Sequence, residues 1–245
     1  MTWSILSKQR KKVSLLSNEN SSVQPMVKAN PMGMQRELLQ IVAMLSMLID
    51  HIGAALYPDQ FLFLRFIGRL AFPLYAFGIV QGFLHTRNIQ KYVLRLGILA
   101  LVSQFPFMWA FDYMELNVIA TFFICILTLI AMDRTRIILL QIFIACIAFL
   151  LFSWIPTDYG TYALMMILIF RYTTSYFALL LHFFLNLYYY WTGGVIYQFI
   201  SMVSTLGLIW GAKARPIPFT IPRWLWLSFY PGHLLILAII KWLFY

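Results

Sequence analysis

The chain has 245 residues, 62% hydrophobic and 11% charged, with a mean hydropathy of +0.81. Soluble domains run at about 45–50% apolar and about 25% charged residues, so composition excludes a soluble enzyme, a nucleic-acid-binding domain and a disordered protein, and leaves an integral membrane protein. Eighteen Lys and Arg against eight Asp and Glu give a net charge of +10, which in such a chain reads as basic cytoplasmic loops and contact with anionic membrane lipid, not with nucleic acid.

Residues 1–36 stand apart: rich in Ser, Asn and Gln, basic at Lys8, Arg10, Lys11, Lys12, Lys28 and Arg36, and without the apolar core of a secretory signal. They read as a disordered cytoplasmic tail ahead of a membrane domain at 37–245. From Leu38 onward apolar runs alternate with very short polar breaks. A spanning helix needs about 20 residues, which predicts spans near 38–57, 61–85, 92–110, 116–132, 137–155, 159–171, 174–190, 195–210 and 224–244. The fold class expected is therefore all-α, a polytopic membrane helix bundle of about nine helices. Cys125 and Cys146 fall inside apolar runs and read as packing residues.

The breaks give an orientation. Those holding Arg87/Lys91/Arg95, Arg134/Arg136, Arg171 and Lys213/Arg215/Arg223 fall on one side with the basic tail, and those holding Asp59, Asp112/Glu115, Asp158 and Thr192–Gly194 on the other. The positive-inside rule then places the N-terminus in the cytoplasm.

An ion inside the membrane is a functional hypothesis by default, because burying it costs at least a few kcal/mol. The first two spans hold the densest set, Asp50, His51, Arg65 and Arg69. Asp50 and His51 are helix neighbours pointing about 100° apart, so they cannot pair with each other. A short turn at Pro58 lets Asp50 reach one arginine across the hairpin, leaving His51 and one guanidinium free; the competing reading is an ion-pair network that only pins two helices. His51 is the group best suited to proton transfer near neutral pH. His85 and His182 read as packing residues. Arg87, Lys91 and Arg95 repeat every four residues and form a basic stripe, either a lipid-headgroup anchor or a docking strip for a polyanionic donor such as a nucleotide-bearing thioester. No metal-ligand spacing and no Gly-rich phosphate loop is present, so no metal is expected.

Several stretches resemble the TraX family of membrane proteins, which acetylate conjugative pilin subunits: Met47-Leu-Ile-Asp50-His51-Ile-Gly53, Arg65-Phe-Ile-Gly-Arg69-Leu-Ala-Phe-Pro73, Gln81-Gly-Phe-Leu-His85-Thr-Arg87-Asn88, Leu116-Asn117-Val118, Asp158-Tyr159-Gly160 and Phe229-Tyr-Pro-Gly-His-Leu-Leu235. The family is similar in turn to wider groups of transmembrane acyltransferases. The resemblance implies a bacterial cytoplasmic-membrane enzyme that moves an acetyl group from acetyl-CoA to an amine or hydroxyl of a peptide, protein or glycan. Carried over by position, it puts the base at His51 and a catalytic arginine at Arg69; Asp50 is expected beside them, and Arg87, Lys91, Arg95 and His85 are expected on the donor. Arg65, Asp158, Tyr159 and His233 then fall to the substrate. Two departures stand out: the long basic tail, and Gly232 where a bulkier residue is expected. A proton-coupled transporter or flippase, and a non-catalytic assembly subunit, are the rival functions; no repeat between halves of the chain favours the transporter.

Overall fold

A computed structural model describes residues 36–57, 60–211 and 220–244. The expected tail at 1–35, Pro58 and Asp59 of the first turn, and Lys213 and Arg215 lie outside the described residues. The described chain is mostly helical. In chain order the elements are α1 Arg36–Leu56, α2 Leu62–Gly68, α3 Ala71–His85, α4 Ile89–Phe111 and α5 Val118–Asp133, then α6 Ile138–Trp154, α7 Gly160–Tyr172 and α8 Ser175–Trp191. A 3₁₀ turn at Ile196–Ser201 runs into α9 at Met202–Gly211, and α10 covers Arg223–Phe244. Joining α2 to α3, and the 3₁₀ turn to α9, gives nine helical segments among the described residues, matching the spans expected from hydropathy.

Four of these are long and apolar enough to cross a membrane: Arg36–Leu56, Leu62–His85, Ile89–Phe111 and Arg223–Phe244. The same four surround the ionisable cluster, with α1 packed on α2, α3 and α10, and α10 packed along α4. α6 is peripheral. Only Ala148 and Phe152 of it are buried, and its open face of Leu139, Ile142, Phe143 and Leu150 suits hydrocarbon. Cys125 is packed in the core as expected, whereas Cys146 on α6 is exposed.

Lipid is as apolar as a protein core, so helices in a membrane are held together by close packing and by polar side chains that bond across the interface. Asn117 is one such link. Its Oδ1 accepts from the backbone N–H of Ile119 at 3.0 Å and Ala120 at 3.1 Å, capping α5. Its Nδ2 donates to the Ala100 carbonyl at 2.8 Å and to Gln104 Oε1 at 2.7 Å, tying α5 to α4. His182 is another, fully buried, with its ring nitrogens 2.8 Å from Thr205 Oγ1 and 2.9 Å from Ser201 Oγ. That is the packing role expected for it.

Two ion pairs agree with the alternation read from the loops. Arg171 meets Asp133 at 3.3 Å where α7 ends and α5 ends. Lys241 meets Asp112 at 2.6 Å where α10 ends and α4 ends. α4 and α5 follow one another across a short break, so their C-terminal ends, and with them the two pairs, lie at opposite ends of the bundle.

Candidate functional site

The site grows from one turn of α1. Asp50 and His51 leave the helix in different directions, and each finds its own partners. Asp50 faces α2 and the turn after it. Its Oδ2 lies 2.8 Å from Arg65 Nη1, its Oδ1 lies 3.7 Å from Arg69 Nη2, and Arg65 Nη1 also donates to the Asp50 carbonyl at 3.1 Å. Neither guanidinium is left free, contrary to the hairpin expectation, because one carboxylate between residues one helical turn apart touches both. Gly68 makes the approach possible: any Cβ there would overlap the Asp50 side chain. Arg69 is held further by the Tyr159 hydroxyl at 3.4 Å, Gln198 Oε1 at 3.3 Å and the Tyr197 ring beneath its guanidinium at 5.3 Å.

Tyr159 is placed by an unusual backbone. Its φ is +64°, a conformation that large side chains rarely adopt. Three contacts hold it. The ring stacks on Phe72 with centroids 3.9 Å apart, the N–H of Asp158 donates to the Leu116 carbonyl at 2.9 Å, and Thr121 Oγ1 donates to the Asp158 carbonyl at 2.8 Å. Asp158, in the turn before α7, has its carboxyl pushed up from the usual 3.8 to about 7. Burial is the main cause, the Asp50 charge adds to it, and Arg69 opposes it.

His51 faces the other way, toward α4 and α10. Its Nδ1 lies 2.7 Å from His233 Nε2. The rings of Phe111 and Tyr230 stand steeply inclined to it, with centroids 5.1 and 6.2 Å away. Among the described residues its Nε2 has no hydrogen-bond partner.

Both halves open on a cavity of about 950 Å³ that follows α1 from one end to the other. Arg36, His85, Arg95 and Arg223 line its basic end, apolar walls such as Leu39, Phe72 and Phe107 line its waist, and His51, Arg65, Arg69, Asp158 and Glu115 line the far end. From Arg36 to His51 is fifteen residues of one helix, or about 22 Å. Among the described residues the three arginines of the basic end carry no carboxylate partner.

The cavity therefore gathers Asp50, His51, Arg65, Arg69, His85, Arg95, Asp158 and Tyr159 from the expected set, and leaves out Arg87, Lys91 and His233. Arg87 leaves the stripe for a local reason. α4 begins only at Ile89, capped by Asn88, whose Oδ1 accepts from the Lys91 N–H at 2.9 Å. Arg87 thus sits before the helix and out of phase with Arg95. Arg36 and Arg223 replace the missing pair at the mouth. Each begins a helix, a position where a basic residue looks like an ordinary loop cation. Gln198 and Tyr197 carry no charge and left no signal in the sequence at all.

A family model described as "TraX protein" matches residues 35–241. A protein of Dichelobacter nodosus named "Probable fimbrial assembly protein FimC, serogroup H1" is 32% identical over 146 residues, covering 54% of this chain and 59% of the relative. The chain thus aligns with about three fifths of that relative's length. No solved structure matches.

Proposed function

Since the chain belongs to the TraX family, we propose that this pilin-related bacterial membrane protein is an acetyl-CoA-dependent acetyltransferase of the inner membrane, its N-terminus cytoplasmic. The observation that carries the reading is the cavity: it gives a half-buried imidazole, two fixed guanidiniums and a distant group of cations a single shared space.

The donor enters at the basic end. Its nucleotide phosphates lie against Arg36, Arg95 and Arg223, with His85 at the rim, since guanidinium forks match phosphate oxygens. Its thioester arm runs through the apolar waist toward His51. The acceptor amine or hydroxyl approaches from the far end, where Asp158 and Glu115 line the wall. His51 Nε2 takes the acceptor's proton as its nitrogen or oxygen bonds to the acetyl carbon. The C–S bond breaks, and the proton passes from Nε2 to the departing CoA sulfur. A positioned base of this kind is worth about 10²–10⁴-fold in rate. Arg69, locked by Asp50, Tyr159 and Gln198, presents fixed positive charge to the oxyanion, and such preorganisation needs no rearrangement during the reaction. The relative's name points to a fimbrial subunit as one acceptor to try first.

A cavity reaching both helix ends also suits a transporter, and chemistry separates the two. Purified protein in nanodiscs is given radiolabelled acetyl-CoA and a panel of amine and hydroxyl acceptors, including a pilin N-terminal peptide. The enzyme reading expects label on an acceptor and a loss of about 10²-fold or more in His51→Ala. No label on any acceptor, or full turnover in His51→Ala, refutes it.

A further inference from the structure

His233 does not itself line the cavity, yet it makes the shortest polar contact of the proposed base. The geometry is that of a true hydrogen bond. The two ring planes are within 14° of parallel, and their centroids are 5.0 Å apart. Beyond the 2.7 Å between Nδ1 and Nε2, that separation leaves room for only the two ring radii. The imidazoles therefore meet edge to edge along the N···N line, not face to face.

The other nitrogen of His233 decides where the hydrogens sit. His233 Nδ1 lies 2.6 Å from the Phe229 carbonyl oxygen, and a carbonyl only accepts, so Nδ1 carries the N–H. A neutral imidazole has one N–H and one lone pair. His233 Nε2 is then the acceptor, and the hydrogen shared between the rings belongs to His51 Nδ1. His51 in turn keeps its lone pair on Nε2. Among the described residues no carboxylate competes with His233 for that hydrogen, because Asp50 is held between Arg65 and Arg69 on another side of α1. The His233 ring is itself fixed by stacking on Phe229, with centroids 4.6 Å apart.

We infer that His233 is a positioning residue: it holds His51 in the Nδ1–H tautomer and points the Nε2 lone pair into the cavity. Its place in the reaction rests on the acetyl-transfer reading; the tautomer does not. When Nε2 takes the acceptor's proton, the charged His51 still donates through Nδ1 to His233, so the ring keeps its orientation until the proton leaves for the thiolate. The last span, 182 residues away in sequence, thereby completes the base of the first.

The test has two arms. In the first, full-length protein labelled with ¹⁵N-histidine is studied by NMR, with His51 assigned by its loss in His51→Gln. The expected signature is a protonated Nδ1 and an unprotonated Nε2 at His51 in the wild type, and a mixture of tautomers in His233→Leu. An unprotonated Nδ1 at His51 in the wild type overturns the inference, whatever the protein's activity. The second arm is kinetic. His233→Leu is expected to lose roughly 10-fold to 100-fold in kcat, less than removal of a carboxylate orienter, with KM for acetyl-CoA within about twofold of wild type. His233→Gln, whose side-chain oxygen accepts where Nε2 did, is expected to recover much of the loss. Full kcat in His233→Leu, or no recovery in a folded His233→Gln, also overturns it. If His233→Leu does not fold, the wild-type spectrum and His233→Gln carry the test. A wild type with no acetyl transfer removes the enzyme reading and leaves the tautomer result standing.

Discussion

Gly68→Ala is the sharpest perturbation of the ion cluster. An alanine Cβ there would overlap Oδ1, Cβ and Cγ of Asp50. These atoms are near the backbone and cannot swing away as the end of a long side chain would. Either α1 and α2 separate, or Asp50 turns out of its place between Arg65 and Arg69. Overpacking alone costs about 1–3 kcal/mol. Loss of the pairing adds more, up to the roughly 3–5 kcal/mol seen when a buried pair loses a partner, although Arg65, with 24% of its side chain exposed, recovers some solvation. A net loss of about 2–4 kcal/mol follows. For a domain of this size each kcal/mol moves Tm by roughly 2–4 °C, so thermal unfolding in detergent should show a fall of roughly 5–15 °C. Gly232→Ala is the matched control. A Cβ there meets nothing within 4 Å, and alanine is the better helix former by about 0.5–1 kcal/mol, so Tm should hold or rise slightly. Equal Tm values for wild type and Gly68→Ala would refute the packing of Asp50 on Gly68.

Other consequences follow from the same geometry. Asp50→Asn leaves two neighbouring guanidiniums without their anion and should destabilise the fold by about 3–5 kcal/mol; adding Arg65→Gln should restore part of it, and a double-mutant cycle with no coupling would contradict the pairing. Asp158 binds its proton more tightly folded than unfolded, so its contribution is fully present below about pH 4 and is lost as pH rises through about 7. Unfolding titrations should show up to about 4 kcal/mol less stability across that window, and Asp158→Asn should flatten the profile. Arg36→Ala, Arg95→Ala and Arg223→Ala should each raise KM for acetyl-CoA severalfold and weaken its salt dependence. Arg87→Ala and Lys91→Ala should leave KM unchanged, because those side chains lie off the cavity.

Much of the site is visible in the sequence because ions are conspicuous in an apolar run. Asp50, His51, Arg65 and Arg69 stand out for that reason alone, and helical rotation already separates Asp50 from His51. The nine segments follow from hydropathy, and even the shortness of 159–171 recurs in α7, which has 13 residues. What stays hidden is long-range pairing. Nothing local in Phe229-Tyr-Pro-Gly-His says that His233 meets His51 from the opposite end of the chain. Tyr197 and Gln198 are uncharged and sit in a 3₁₀ turn, so no periodicity marks them. Spacing of four puts Arg87 on the stripe of Lys91 and Arg95 only while the helix is assumed to continue, and the cap at Asn88 ends it. Tyr159 is hidden in a different sense. A resemblance nominates it, but the positive φ and the stacking on Phe72 that aim its hydroxyl at Arg69 are tertiary facts.

The central claim is that an acyl donor reaches His51 from the basic end of the cavity. A structure of the protein bound to a non-transferable thioether analogue of acetyl-CoA tests it directly. The account predicts the nucleotide against Arg36, Arg95 and Arg223, the arm along Leu39 and Phe72, and the acetyl carbonyl beside His51 Nε2 and Arg69. An analogue bound tightly anywhere else, or with its acetyl group turned away from His51, would contradict it.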